Sequence, residues 1–546
     1  MWRRLLAAAI TAAMLAPAGQ AAGRGTSALT RVDLRWLNRV TFGVDSSAVA
    51  TYRRLGREKF LDAQLHPPRE DPPELRAAIA SLGISQKTGE ARVFEFRQEQ
   101  QRINSLPSED EKQKARMALG QASGQVQYET SRRHLMRAIA SPWQLREQMT
   151  WFWMNHFSVF SGKGNVRFTL PEYEEDAIRP HALGRFRELV MATVTAPAML
   201  EYLDNAQSSA NRINENYARE LMELHTLGVS GGPSGSRYTQ QDVQELARVL
   251  TGLGLALAPQ PPRLGPQQAP LYVRRGLFEF NPARHDGRPK TVLGAAIAGK
   301  GLDEVDAAVT LLCRQPATAR FISTKLATYF VADEPPRGLV DRMARTFEKT
   351  DGDIAAVLKT MFLDKEFIAS LGYVDAASEP SERATGAARA AKRRASDGVG
   401  EFEGRSPSKL KDPMVFVVSS VRLAYEDKTL TNFRPLVGWL AQLGEPLYGR
   451  VTPDGYALTE SAWTSSGQIV RRFEIARAIG SGNAGLFNND DNSPGPSTGF
   501  PMLTSRFYYD SIEPALSART RTALGQTNSQ QEWNTVLLAS PDWMQR

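Results

Sequence analysis

The sequence predicts a mainly α protein, a multi-helix globular fold with a small β-hairpin. Over most of the 546 residues, apolar side chains recur at spacings of three and four, which is the period of an amphipathic helix. Strand-like runs bounded by turn residues are confined to residues 272–294. The length exceeds that of a typical single core, so we expect two or more packed subdomains.

The N-terminus has the pattern of a cleaved signal peptide over residues 1–22. Basic residues in Met1–Arg4 precede an apolar run over Leu5–Ala16, and small residues follow around Ala21. No later run reaches the ~18 consecutive apolar residues of a membrane helix. We therefore expect a periplasmic or secreted protein with no membrane span in the mature chain. The two arginines leave general secretory and twin-arginine export both open.

Charge and cysteine content exclude some classes of protein. A net charge of +8 over this length is too mild to indicate a nucleic-acid partner, and no basic-aromatic stripe is present. The single cysteine, Cys313, lies in an apolar run, and we expect it to be a small buried residue. One cysteine excludes intrachain disulfides and cysteine-rich zinc sites.

The chain divides into three parts after the signal peptide. Residues 23–375 form an N-terminal and central helical region that carries the candidate site. Residues 376–412 are rich in Ala, Ser, Gly and charge without apolar periodicity, so we expect a flexible basic excursion of open role. Residues 413–546 form a C-terminal helical region packed on the same body.

A helix starting near Ser141 carries aromatic residues nearly all round, so we expect it to be buried. It ends in the polar pair Asn155-His156. A polar pair is costly to bury unless it is hydrogen-bonded. A satisfied core histidine is the commoner outcome, and the alternative is that His156 is a catalytic residue or a metal ligand.

Residues 214–228 combine acids, amides and a histidine in one predicted helix. Gly228 suits a left-handed C-terminal cap, so the helix runs from about residue 215 to 227. At about 100° per residue, Asn216, Glu220 and Glu223 share one face. His225 points to the other side, among apolar residues. The two carboxylates can share a ligand, but His225 does not complete their set.

Glu220 and Glu223 have two interpretations. Buried together, they are candidate metal ligands or an acid/base pair, because neighbouring carboxylates raise one pKa. Alternatively they form an exposed stripe that pairs with arginines such as Arg212 or Arg248.

The following helix offers two further acids. Thr239 and Asp242 have the spacing of a helix-capping box, so Asp242 is more simply structural. Glu245 is the freer of the two and joins the candidate metal ligands.

The strand-like region predicts a hairpin in which Leu277–Phe280 pairs with Thr291–Leu293, with a tight turn at Asp286-Gly287. His285 precedes this turn and can reach a cleft. Imidazole beside carboxylates suits zinc, iron or manganese. The alternative is that His285 and Asp286 serve only the hairpin.

One motif is rejected. Gly228-Val-Ser-Gly-Gly232 has the G-x-S-x-G spelling, but a nucleophile elbow needs a strand before it and a helix after it. Here a helix precedes and a loop follows.

Several segments resemble the exported bacterial proteins grouped as domain-of-unknown-function family 1800. They are Leu37–Gly43, Trp151–Phe157, Asn214–Gly228, Tyr238–Ala247, His285-Asp286 with Lys290–Gly294, and Gly352-Asp353. The resemblance covers nearly the whole mature chain. It implies export, a mainly helical fold and association with a second uncharacterised exported protein encoded alongside. It implies no activity.

The preferred hypothesis is a metal-dependent hydrolase or oxidoreductase with a carboxylate/histidine cleft. The catalytic candidates are Glu220, Glu223 and His156. The candidate ligands of a divalent metal (zinc, iron or manganese) are Glu220, Glu223, His156, His285 and Glu245. The alternative is a non-catalytic exported binding or assembly protein. A polysaccharide-binding role has weaker support from the nine tryptophans, which are expected to be mainly buried. Substrate and oligomeric state are not indicated.

Overall fold

The computed structural model describes residues 29–229, 238–372, 409–490, 493–495 and 499–546. The predicted signal peptide, residues 230–232 of the rejected motif, and nearly all of the basic excursion lie outside these ranges. Of the described residues, 61% are helical and 4% are in strands, which confirms the predicted mainly α class.

The helices of the N-terminal part follow one another with short connections. They are α1 (Arg31–Val40), α2 (Ser46–Leu55), α3 (Arg57–Leu65), α4 (Pro73–Ala80), α5 (Gly89–Asn104), α6 (Glu109–Ala140), α7 (Gln144–His156), α8 (Val166–Glu172), α9 (Phe186–Val194) and α10 (Pro197–Tyr202). The α8 helix continues as a π-helical turn over Tyr173–Ile178 and a 3₁₀ turn over Arg179–His181.

The central and C-terminal helices complete the body. They are α11 (Asn216–Glu220, then a π-helical turn Leu221–Thr226), α12 (Gln240–Val249), α13 (Leu302–Cys313), α14 (Pro316–Phe330), α15 (Arg337–Lys349), α16 (Ile354–Phe362), α17 (Lys365–Gly372), α18 (Pro413–Ala424), α19 (Arg434–Gln442), α20 (Ser466–Gly480), α21 (Ala518–Gly525), α22 (Gln530–Ala539) and α23 (Pro541–Met544).

Two small antiparallel sheets lie between α12 and α13. The first has strand order β1 (Leu253–Leu255), β3 (Phe278–Phe280), β2 (Val273–Arg275), with Phe280 opposite both Leu253 and Val273. The second pairs β4 (Thr291–Val292) with β5 (Ala295–Ala296).

The predicted pairing of Leu277–Phe280 with Thr291–Leu293 is wrong. The β3 strand is buried and takes a partner on each side, so it has no free edge for β4. Leu293 and Gly294 have φ of 50° and 76°, the backbone of a tight two-residue hairpin turn. Thr291–Val292 therefore pairs with the residues that follow this turn. The hairpin turn therefore lies at Leu293-Gly294 and not at the predicted Asp286-Gly287.

Buried apolar side chains from Leu29 to Met544 form one contiguous cluster. Trp151 and Trp153 of α7 lie inside it, as predicted. Cys313 is also buried, as predicted, and burial raises the pKa of its thiol. In the described ranges, no helix is both long and apolar enough to cross a membrane.

A network of charged side chains, most of them buried, joins four segments of the chain, one of which is α7. Its members are three arginines and three carboxylates, namely Arg137, Arg146, Arg179, Asp71, Glu147 and Glu175. Arg179 Nη2 lies 2.8 Å from Glu147 Oε1, and Arg137 Nε lies 2.9 Å from Asp71 Oδ2. The network fixes α6, α7, the turns after α8 and the segment before α4 to one another.

A second buried pair extends this network toward the C-terminal region. Glu174 is fully buried, and its Oε1 lies 3.1 Å from His134 Nδ1. The hydroxyl of Tyr448 donates to Glu174 Oε2, and Tyr448 O accepts from Ser161 N at 3.0 Å. The loop after Tyr448 is therefore anchored in the interior.

Replacing Glu147 with Gln should lower the free energy of unfolding by about 3–5 kcal/mol, because Arg179 is left buried without its main counter-charge. Urea denaturation measures the change. Glu348→Gln is the matched control, since Glu348 is exposed on α15. A loss below about 1 kcal/mol for Glu147→Gln would contradict the assigned role of the network.

The stabilisation by Glu147 should also depend on pH. Burial alone would raise the pKa of Glu147, but Arg179, Arg146 and Arg137 outweigh it and hold the pKa at about 2, below the ordinary 4.5. A lowered carboxyl pKa stabilises the folded state above the unfolded value, and the stabilisation is lost as pH falls through the folded value. The stability difference between wild type and Glu147→Gln should therefore narrow as pH falls from about 4.5 toward 2. A constant difference over that window would contradict this assignment.

Candidate functional site

The predicted helix at residues 215–227 is present, but its second half is a π-helical turn. Leu227 N donates to Met222 O at 2.8 Å, five residues back. Gly228 has φ of 82° and caps the helix in the left-handed region, as predicted. A Cβ on Gly228 would lie 2.9 Å from the ring of Phe321, so the helix end packs closely on α14. π-helical turns are frequent at functional sites.

Glu220 is a half-buried carboxylate without a close partner. Among the described residues it makes no hydrogen bond or ion pair. Burial, and then the negative charge of Glu223, raises its pKa. This electrostatic interaction is consistent with the two acids sharing one face. Glu223 accepts a long hydrogen bond from Tyr238 Oη at 3.4 Å.

The arginines offered as partners for these acids do not contact them among the described residues. Arg248 instead binds Glu245 and Asp286. The Asn216 amide is engaged structurally, because its Nδ2 donates to Leu203 O at 3.2 Å.

His156 is buried, and both of its ring nitrogens are engaged. Nε2 lies 3.1 Å from His225 O, so this nitrogen carries the proton and donates it to the carbonyl. Nδ1 lies 2.9 Å from Lys325 Nζ and accepts from it. Burial, followed by the charge of Lys325, lowers the pKa of His156 well below its ordinary value. His156 is a neutral, satisfied core histidine that orients a lysine.

Lys325, on α14, is a further candidate residue that the sequence pattern did not reveal. It is half-buried, and no carboxylate of the described chain lies within 4.0 Å of Nζ. Burial lowers its pKa to about 8, an effect that Asp454 opposes. The available signal was one cation in the otherwise apolar or hydroxyl-bearing run Phe321–Phe330.

Asp454 reaches the site from a loop over residues 450–456. Asn155 holds this loop: its Nδ2 donates to Tyr456 O at 2.9 Å, and its Oδ1 accepts from Tyr456 N at 2.6 Å. Asn155 and Tyr456 are 301 positions apart in the sequence. No local sequence pattern identifies Asp454. Its charge acts on both Lys325 and Glu220, so the loop brings a third carboxylate to the face between α11 and α14.

His225 lies on the packed side, as predicted. It is fully buried, with ring centroids 5.0 Å from Phe157 and 6.4 Å from Tyr217. Neither ring nitrogen has a hydrogen-bond partner in the described chain. Burial, and then Lys325, lowers the pKa of His225 to about 3. The ring is therefore neutral and packs as an aromatic side chain.

His285 and Glu245 belong to a different network. His285 Nδ1 lies 2.7 Å from Thr251 O, and its Nε2 lies 3.3 Å from Glu304 Oε2. Both carboxylate oxygens of Glu245 accept from Arg248 Nη1, Oε1 at 2.8 Å and Oε2 at 2.9 Å. Asp242 and Thr239 form the predicted capping box. These contacts tie α12, the β4 region and α13 together.

Within the described ranges, no group of three or more His, Cys, Asp or Glu residues is arranged to hold a metal ion. His156 and His285 use both ring nitrogens on protein groups, and Glu245 is paired with Arg248. The structure therefore does not gather the five candidate ligands around one position. The metal assignment stays a prediction.

The chain matches the model of the family described as "Protein of unknown function (DUF1800)" over residues 35–401 and 399–545. The chain belongs to the DUF1800 family. No curated protein and no solved structure matches it. The suspected resemblance is thereby confirmed, and the site of this DUF1800 protein has to be interpreted from its own geometry.

Replacing His225 with Phe should leave the free energy of unfolding at pH 7 unchanged or raise it by about 1 kcal/mol, because two unsatisfied buried nitrogens are removed. Between the unfolded pKa of about 6.5 and the folded value of about 3, the unfolded state binds the proton. Wild-type stability therefore falls as pH falls through this window, and the variant should lose that part of the dependence. Urea denaturation at pH 7 and 4.5 measures both effects. A large loss of stability at pH 7 would show that the ring nitrogens make a needed contact.

Proposed function

We propose that this DUF1800 protein is an enzyme of the hydrolase class that works by acid–base catalysis at the face between α11, α14 and the 450–456 loop. The observation that carries the proposal is a half-buried carboxylate, Glu220, and a half-buried amine, Lys325, neither of which contacts an opposite charge among the described residues. Buried charges are normally paired, and the groups that would complete these two are those of a substrate.

Lys325 is assigned as the general base. A pKa near 8 leaves part of the amine deprotonated near neutral pH, whereas an ordinary lysine, with a pKa of about 10.4, is almost fully protonated. A general base works best when its pKa lies near the operating pH. The neutral amine takes a proton from a water molecule, whose oxygen then attacks the electrophilic carbon of the substrate.

His156 is a positioning residue in this scheme. Its Nε2–H is fixed by the His225 carbonyl, so Nδ1 always presents a lone pair to Lys325 Nζ. That contact orients the amine before and after it takes the proton. The backbone of the π-helical turn therefore determines the orientation of the base through one imidazole.

Glu220 is assigned as the general acid, because burial, followed by the charge of Glu223, raises its pKa. As the bond between the electrophilic carbon and the leaving group breaks, the protonated carboxyl donates its proton to the leaving group. Asp454 keeps its charge: burial would raise its pKa, but Arg450 and Thr452 lower it. Water is consumed, two products form, and proton exchange with solvent restores both residues.

The groups that are present support a hydrolase. Proton donors and acceptors with water are sufficient for hydrolysis. A metal-dependent form of the enzyme requires a stoichiometric metal in the purified protein, which elemental analysis would detect. The signal-peptide pattern and the family resemblance support export to the periplasm or medium. The alternative role for this face is to bind a second exported protein.

Competitive acylation at a series of pH values, followed by mass spectrometry, should show Lys325 titrating near pH 8. Exposed Lys349 on α15 is the internal reference for the acylation yield. Turnover should then be measured on a panel of esters, amides and glycosides. Lys325→Arg and Glu220→Gln should each lower kcat by about 10²–10⁴-fold, while Lys349→Arg and Glu215→Gln should retain it.

Two results would contradict the proposal. One is a Lys325 whose acylation shows no titration near pH 8. The other is full turnover in Glu220→Gln, which would remove the general acid. An inert site with ordinary lysine reactivity would favour the binding or assembly role instead.

A further inference from the structure

A second group of cations surrounds a small cavity formed by α1, the end of α17, Lys411, residues 512–516 and residues 542–546. The cavity has a volume of about 50 Å³. Among the described residues, its charged lining consists of Arg35, Arg39, Lys411 and Arg546, with the carboxylate of Asp542. None of these residues belongs to the face between α11 and α14.

Lys411 is the most informative member of this lining. Its side chain is 1% exposed, and Nζ has no hydrogen-bond partner in the described chain. Nζ lies 3.8 Å from the centroid of the Trp543 ring. A cation–π contact compensates only part of the cost of removing an ammonium group from water. A buried polar group left in this state indicates a missing partner.

The neighbouring cations are bound to neutral acceptors. Arg39 is 1% exposed and donates to Arg546 O at 2.7 Å and Val331 O at 2.8 Å. Arg546 Nη2 donates to Tyr329 O at 2.7 Å, and Arg546 Nε has no partner among the described residues.

The nearby carboxylates are engaged elsewhere. Asp542 Oδ2 accepts from Ser517 Oγ at 2.6 Å and from Thr520 Oγ1 at 2.5 Å. Asp412 Oδ1 and Glu445 Oε2 accept from backbone amides at the start of α18, at 2.7 and 2.8 Å. Both acids face Arg472, a fully buried cation whose Nε and Nη1 have no partner in the described chain.

We infer that this cavity binds a small inorganic anion, held by Lys411 Nζ together with the guanidinium groups of Arg39 and Arg546. A cavity needs about 10–15 Å³ to hold one water molecule, so about 50 Å³ admits an anion of a few heavy atoms. A nucleotide or a sugar does not fit. Chloride and phosphate share the required chemistry, and the experiment separates them.

The site gives a physical role to the first segment of the family resemblance. Asn38 and Arg39 of Leu37–Gly43 line the cavity, yet they take no part in the proposed reaction. A bound anion would join α1 to residues that lie more than 300 positions later, as the Arg39–Arg546 contact already does. The inference is independent of the proposed hydrolase activity.

The test uses the full chain at constant ionic strength, with sodium gluconate replaced stepwise by sodium chloride or sodium phosphate. Gluconate is too large for the cavity. The midpoint of thermal unfolding should rise saturably with one of the two small anions, because a ligand of the folded state stabilises it. Lys411→Met should abolish the rise and, in gluconate alone, should unfold at a higher temperature than wild type, since a buried unpaired charge is gone. Lys349→Met should respond as wild type does.

An equal response in Lys411→Met and wild type would overturn the inference, as would the absence of any saturable response. A second measurement does not depend on the variant folding. Crystals of the wild-type chain grown in sodium bromide should show an anomalous peak beside Lys411 Nζ. An empty cavity at saturating bromide would also overturn it.

Discussion

The buried ion network around Asp71 and Glu147 is the constraint on which the rest of the structure depends. Its arginines and carboxylates come from four segments, and each segment supplies charge that another must neutralise. An unpaired buried charge costs several kcal/mol, so arrangements of these helices that separate the partners are disfavoured. The network thereby fixes the position of α7. The end of α7 in turn places Asn155 and His156 next to the face between α11 and α14.

The same principle places the C-terminal loop. Glu174 is buried beside the network and accepts from both His134 and Tyr448. Anchoring Tyr448 in the interior leaves only a short loop between it and Tyr456, where Asn155 binds the chain again. Asp454 lies on this loop, so its place beside Lys325 and Glu220 follows from buried polar contacts on both sides of it.

The scaffold and the candidate sites differ in how charge is satisfied. In the network, arginines hold the pKa of Glu147 low. Glu220 forms no ion pair among the described residues, and burial, followed by the charge of Glu223, raises its pKa. Lys325 and Lys411 are lysines without a carboxylate partner among the described residues. Buried charges without a partner are expected at functional sites. Such charges distinguish the face between α11 and α14, and the cationic cavity, from the structural ion pairs.

The sequence determined the helical class, the burial of α7 and Cys313, the Thr239–Asp242 cap, the Gly228 cap and the packed position of His225. These features depend on periodicity and on contacts within a few residues, which local pattern encodes. The π-helical turn, the strand pairing and the partners of His156 could not be derived in this way. The pairing of β3 depended on competition among three other strands, and Lys325 and Asp454 meet the Glu220 helix only because buried charges bring distant segments together. The sequence thus located the helix that carries Glu220 and Glu223. Tertiary packing decided which groups lie near that helix, because desolvation and charge pairing act between residues that are far apart in the chain.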